Sequence, residues 1–423
     1  MKMAEMTHSS PDRRDHAVEN EQPVHGEGSP VEHHEVSRHT FLSTHVREGK
    51  LEIRAQIAST KGDVMHQFIR VILVAAGCMI GWLTLSPTSA IANTHLVHPG
   101  DSIQAAVDAA SPGDTIMVRA GTYRESVKIQ TDGLTLRAEG SVTLKPLKYG
   151  DGACYLPGHV AGFCVVPADF DPSVGGYTRR VRDVTITGFR IVGFDDGVFG
   201  FGTENLKVSH VVAIDNIDYG VASFDGIGTG FTQNATSGSH DAGIYVGDSV
   251  DANAVVMNNR SWDNALGILI RHSHKVVLSH NKVWGNCLGV FLLSDIEAGG
   301  SGHITVQHNK VSANNNVCPD FEGFLPDLGG GGIVLAGSQH DIIFQNVVTD
   351  NRGNTLFSGG IVLITNTLPN PDESFDVSKD NLVALNGLSG NEPADIVTDA
   401  ASTPNVFDRN RCNTSIPDGL CSF

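Results

Sequence analysis

Asp225, Asp248 and His272 each stand five residues after a glycine (Gly220, Gly243 and Gly267), and Arg271 directly precedes the histidine. If those glycines mark equivalent places in a repeat, two carboxylates, an imidazole and a guanidinium share one column. Acid–base catalysis, or the base of a lyase, needs such groups within reach of one another. The competing reading is a polar strand end whose side chains are solvated. Asp195, Asp218 and Asp241 fall two residues before glycines of the same repeat. Three stacked carboxylates repel unless a proton or a cation intervenes, and Ca2+ is the oxygen-seeking cation expected outside the cytoplasm. Against a metal, an aspartate ahead of a turn commonly bonds its own backbone. Two residues after the glycines an apolar column includes Phe199, Tyr245 and Phe291. It reads either as a sugar-stacking strip or as a surface covered by long loops. Trp262 and Trp284 occupy one place on adjacent repeats. Two stacked indoles suit a carbohydrate face, or they pack a loop.

The repeat itself must supply the elements that position these residues. A glycine, a β-branched residue, any residue and usually an aliphatic one begin at Gly197, Gly220, Gly243, Gly267, Gly289, Gly332 and Gly360. The first four steps are 23, 23, 24 and 22 residues, and the next two are 43 and 28. Loops account for the longer spacings, among them Asp320 to Gly331 and the Pro-rich Leu368 to Phe375. A near-constant period of strand-type residues is a solenoid signature. With a side-chain period of two, Val198, Val221, Ile244, Ile268, Val290, Ile333 and Ile361 point inward, and the residue after each points outward.

A second register supports the first. Asn259, Asn281, Asn309, Asn346 and Asn381 are each followed five residues later by another asparagine: Asn264, Asn286, Asn314, Asn351 and Asn386. Coils stacked about 4.8 Å apart turn such positions into axial amide ladders. At the start, Asp101 and Gln104 have capping-box spacing, and Ile103, Ala106, Val107 and Ala110 share a helical face. That predicts a short helix covering the first coil, whose core and strand edges would otherwise be exposed.

Charge and cysteines narrow the setting. The chain has 29 basic and 47 acidic residues and a net charge of −18. A nucleic-acid surface needs clustered Lys and Arg, so nucleic acid is not an expected partner. Residues 1–64 have no sustained apolar period and are expected to be a disordered leader. Residues 65–92 combine a basic start, the apolar run Val71 to Leu85 and an Ala90-Ile91-Ala92 end, the three parts of a secretory signal peptide. The domain is then residues 93–423, secreted, periplasmic or at the cell surface, with no membrane contact after cleavage and as a monomer. Removing the leader removes Cys78 and leaves six cysteines, an even count that favours disulfides in an exported chain. Cys154 with Cys164 and Cys412 with Cys421 are short-range pairs, leaving Cys287 and Cys318.

These features resemble the right-handed parallel β-helix proteins of the pectate-lyase-type fold. The cap segment Asp101 to Ile129, Asp241-Ala-Gly-Ile-Tyr-Val-Gly-Asp248, and the end Asn410 to Cys421 look like one bacterial exported subgroup. The resemblance covers about residues 95–423. It implies an all-β, single-stranded right-handed β-helix with an N-terminal helical cap, and a protein that binds or processes an extracellular, acidic polysaccharide. In a lyase, calcium on Asp195, Asp218 and Asp241, or on Asp225 and Asp248, would meet the substrate carboxylate. Arg271 or His272 would then remove the neighbouring proton, beside a glycan surface from Tyr245, Trp262, Trp284 and Phe291. The polygalacturonase pattern is represented only by Asp195-Asp196, its Gly-His-Gly is missing, and the Asp-Pro-His-Glu run of alginate epimerases is absent. No enzyme assignment therefore carries over residue by residue. The resemblance extends to the accessory protein of nitrous oxide reductase maturation, so a non-enzymatic accessory or a structural surface module is the alternative. Only Met117 and Met257 follow the signal segment, which argues against a Met-rich copper surface.

Overall fold

A computed structural model describes residues 92–147, 152–156, 159–171, 175–295, 300–319 and 326–422. The leader, all but the last residue of the signal segment, and positions 320–325 of the Asp320–Gly331 loop lie outside the described residues.

The chain winds as a parallel β-helix. In one coil, Leu266–Ser273 enters the first sheet, Val276–Ser279 the second and Lys282–Trp284 the third, and Leu288–Leu293 begins the next coil. The first sheet has 12 strands, while the second and third are joined by hydrogen bonds into 19. Ile268 pairs with Ile244 on the coil before and Val290 on the coil after. All three are fully buried. The glycine register has a steric cause: a Cβ on Gly220 or Gly332 would collide with the carbonyl oxygen of Gly243 or Gly360 on the next coil. No helix among the described residues is long and apolar enough to cross a membrane.

The asparagine ladders form with one change of register. Asn281 donates through its backbone N–H and its Nδ2 to Asn309 Oδ1, both at 2.9 Å. Its own Oδ1 accepts from the N–H and Nδ2 of Asn259 at 2.9 and 3.0 Å. Asn264, Asn286, Asn314 and Asn351 form the second ladder in the same way. The last pair, however, is Asn386 and Asn391 rather than Asn381 and Asn386. Asn346 bonds Asn386 at 2.9 Å, Asn351 bonds Asn391 at 3.1 Å, and Asn381 instead accepts from the Asp341 N–H at 2.8 Å. Asparagines at 381, 386 and 391 repeat every five residues, so spacing alone fits two frames and strand pairing selects one.

The cap is the helix Ile103–Ala109, with Ser102 rather than Asp101 at its N-cap; the Ser102 Oγ accepts from the Ala105 N–H at 3.1 Å. Glu125, 22 residues on, accepts from the Ile103 N–H at 2.8 Å, and Gln104 binds the Lys128 backbone at 2.7 and 3.1 Å. The first-turn donors are thus divided between the Ser102 hydroxyl and Glu125 of the first coil, without a reciprocal local capping box. Disulfides join Cys154–Cys164, Cys287–Cys318 and Cys412–Cys421, with Cα separations of 5.7, 6.0 and 5.4 Å.

Candidate functional site

The first-sheet strands end at a corner where the backbone turns left-handed. Asp225, Asp248 and His272 hold that corner on successive coils, with φ of 45°, 53° and 47°. Asp, Asn and His tolerate this region better than most residues, and the repeat therefore places short polar groups there. Register does the rest: Gly247 pairs with Arg271 and Ser249 with Ser273, which sets Asp248 opposite His272. His272 Nδ1 lies 3.1 Å from Asp248 Oδ1, and its Nε2 lies 2.9 Å from Asp295 Oδ1. Arg271 grips both Asp295 oxygens, Nε to Oδ1 at 2.8 Å and Nη2 to Oδ2 at 2.9 Å. The Asp295 side chain is 0% exposed, His272 6% and Asp248 21%. The chain Arg271–Asp295–His272–Asp248 thus has a buried centre, Asp295 and His272, and two partly exposed ends, Arg271 at 18% and Asp248 at 21%.

Its electrostatics are strongly biased. Burial works against a charged His272, but the bonds to Asp248 and Asp295 prevail and raise its pKa to about 9. Burial also disfavours ionised Asp295, yet hydrogen bonds from His272 and Arg271 hold its pKa below the ordinary value. At neutral pH the imidazole is therefore a cation. This corrects the expectation that His272 or Arg271 removes a proton: both already carry one, and both are held by carboxylates.

Asp225 joins the same corner through a different set of partners. Tyr177 Oη donates to its Oδ2 at 2.5 Å, and Arg180 Nη2 pairs with its Oδ1 at 2.7 Å. Burial and the Asp225 charge push the Tyr177 phenol well up, so it stays protonated. The repeat does not mark Asp295, Tyr177 or Arg180, because all three lie outside its glycine columns; Asp295 falls six residues after Gly289 rather than five.

The opposite edge of the first sheet holds the aspartate column. Backbone bonds link Asp218 to Asp195 at 2.8 Å and Asp241 to Asp218 at 3.2 Å, as the spacing predicts. Asp218 Oδ2 lies 2.8 Å from His159 Nδ1, and Asp195 Oδ2 accepts from the Val160 N–H at 2.6 Å. The hydrogen bond to Asp218 raises His159 to about 9 against the effect of burial. Burial, aided by the Asp218 charge, lifts neighbouring Asp196 to about 7. An imidazolium thus stands where calcium was expected. Among the described residues no three His, Cys, Asp or Glu side chains converge as metal ligands. The donor set does not fit a resident Ca2+.

The aromatic candidates separate. Phe291 is fully buried against Phe357, with ring centroids 5.5 Å apart, and presents no face to a glycan. Tyr245 is buried between Tyr219 and Phe224, with centroids at 5.0 and 4.6 Å. Loop residues Leu328, Phe357 and Leu368 pack on this outward column, so it is covered surface rather than an open stacking strip. Trp262 and Trp284 do stack, 5.2 Å apart and 3° from parallel. They close the third-sheet strands before Leu266 and Leu288 begin, whereas His272 lies near the far end of Leu266–Ser273. The indole pair therefore does not border the Asp248–His272 corner.

Fold and site together define a right-handed parallel β-helix with a charged sheet corner. The family model described as "Right handed beta helix region" matches residues 196–370. Among solved structures the chain is similar to the A-module of the Azotobacter vinelandii mannuronan C-5 epimerase AlgE6. The identity is 19% and the TM-score 0.53, over 73% of this chain and 88% of that one. The AlgE4 A-module of the same organism gives 18% identity and a TM-score of 0.52, over 73% and 89%. At such identities the likeness concerns the fold alone. No curated protein sequence matches.

Proposed function

We propose that this is an exported protein that processes an acidic polysaccharide by proton transfer at the Asp225–Asp248 corner. The observation that carries this reading is the chain Arg271–Asp295–His272–Asp248, four charged groups mostly withdrawn from water. Buried ion networks add little stability over apolar packing, while strongly shifted, partly buried groups concentrate at functional sites. The three disulfides support export. Mannuronan, in the names of the two similar epimerase modules, is a polymer of uronic acids.

His272 and Arg180 bring positive charge to the corner and would attract a uronate carboxylate. Asp248, the more exposed of the two carboxylates in the chain, accepts the proton from the carbon beside that carboxylate. The electron pair passes into the carboxyl group, whose added negative charge the cations stabilise. Expulsion of the glycosidic oxygen, taking up a proton from Tyr177, then leaves an unsaturated sugar. Return of a proton to the carbon without bond cleavage would instead epimerise it.

The test is incubation of the secreted protein with a panel of uronate polysaccharides across a calcium titration that includes a chelator. Ultraviolet absorbance reads unsaturated ends and proton NMR reads epimerised residues. The reading predicts one of these products, reduced by about 10²-fold or more in Asp248→Asn. No product and no retention on any glycan gel would overturn it in favour of a non-enzymatic accessory role. Retention without product, unchanged in His272→Ala, would make the protein a binding module.

A further inference from the structure

The third sheet carries an arrangement that the proposed chemistry does not use. Arg260 pairs in register with Lys282, and Lys282 with Lys310, so three cations stand in one axial row. All three are exposed. Among the described residues, nearby ion pairs take Lys275 to Asp251 and Arg352 to Asp350, and none takes Arg260, Lys282 or Lys310. Like charges directly opposite on neighbouring strands destabilise a sheet, and this row persists in a chain of net charge −18. Two residues along the same strands lies the Trp262–Trp284 stack, half-buried. Ser237 and Ser312 flank it on the coils before and after, so a small side chain leaves room over the outer face of each indole. On the other side of the cations the exposed rings of His280 and His308 stack at 5.1 Å and 6°. Asp263, three residues after Arg260 in the chain, sits at the corner beyond Trp262.

We infer that this face is a second glycan site, which holds an acidic polysaccharide lengthwise along the helix axis, away from the Asp248–His272 corner. The cation row repeats once per coil, about every 4.8 Å, an interval comparable to one pyranose ring. Carboxylates of a uronate chain would meet Arg260, Lys282 and Lys310, while the apolar faces of its rings lie on the indoles. Indoles pair an apolar body with a polar edge and suit such half-wet contacts. Charge complementarity selects an acidic polymer, and the adjoining aromatic surface selects a sugar. The choice of polymer rests on the proposed function, but the existence of the site does not.

Binding of the full secreted protein to polymannuronate, read by calorimetry at several salt concentrations, tests the inference. Affinity should fall with salt. It should drop tenfold or more in Arg260→Gln/Lys282→Gln/Lys310→Gln and in Trp262→Ala/Trp284→Ala, each checked for an unchanged melting temperature. Wild-type affinity in both multiple variants would overturn the site, and so would equal affinity of the row for duplex DNA or anionic vesicles. Product formation without polymer binding at this face would remove the second site and leave the proposed function intact. Binding lost in these variants, with no product from any glycan, would remove the proposed chemistry and leave the site.

Discussion

His272 Nδ1 lies 3.1 Å from Asp248 Oδ1, across the step between two neighbouring coils. The two residues are 24 apart in sequence, and only the parallel register brings them together. Because Asp295 holds the other ring nitrogen, Nε2, the imidazole is clamped as a cation between two carboxylates. One arrangement thereby orients Asp248, supplies positive charge beside it and couples the surface to a buried ion pair.

This clamp makes stability depend on pH. A histidine whose folded pKa is raised from 6.5 to about 9 stabilises the fold fully below about pH 6.5, and the contribution is lost as pH rises through about 9. His159 acts in the same sense, whereas the loss from buried Asp196, raised from 3.8 to about 7, is nearly complete by about pH 7. The melting temperature should therefore fall between pH 6 and pH 10. His272→Asn, which suits the left-handed corner, should flatten that fall by on the order of 3 kcal/mol at most. A variant with the full wild-type drop would show that His272 is not held as a cation.

Asp295→Asn should be the most damaging change in the network, because it leaves Arg271 and His272 partly buried without their shared anion. Breaking a buried pair in this way removes about 3–5 kcal/mol. Asp225, whose side chain is 32% exposed and can rehydrate, should lose distinctly less on conversion to Asn. Urea denaturation of the two variants compares them, and similar losses would place Asp295 in contact with water.

The revised asparagine register has its own consequence. Asn281→Leu removes the acceptor of two Asn259 donors, at about 1–3 kcal/mol for each donor left unpaired. Asn381→Leu removes the acceptor of the Asp341 N–H and should cost less. Equal losses in thermal melts would restore Asn381 to the ladder.

Covered and open aromatics should behave in opposite ways. Phe291→Ala empties a fully buried site and should destabilise by about 3–5 kcal/mol, with glycan retention per folded molecule unchanged. Trp284→Ala should leave stability nearly intact and weaken retention on uronate gels. The reverse pattern would return the glycan surface to the first sheet.

Much of this protein was legible in one dimension because a solenoid repeats its physics once per coil. Gly197, Gly220, Gly243, Gly267 and Gly289 recur because no Cβ fits against the next coil, and a local steric demand of that kind leaves its mark on every repeat. The inward aliphatic column, most of the amide ladder and the shared column of Asp225, Asp248 and His272 followed from that period, and the three disulfides from the number and spacing of the cysteines. Tertiary structure decided whatever depends on elements outside it. Asp295, Tyr177 and Arg180 approach the corner from loops whose lengths differ coil by coil, so no spacing announces them. Loops also turned Tyr245 and Phe291 from apparent surface into core. The protonation of His272 and His159 depends on carboxylates 23–59 residues away in the chain, and such charge interactions act through space, which spacing within a repeat does not encode.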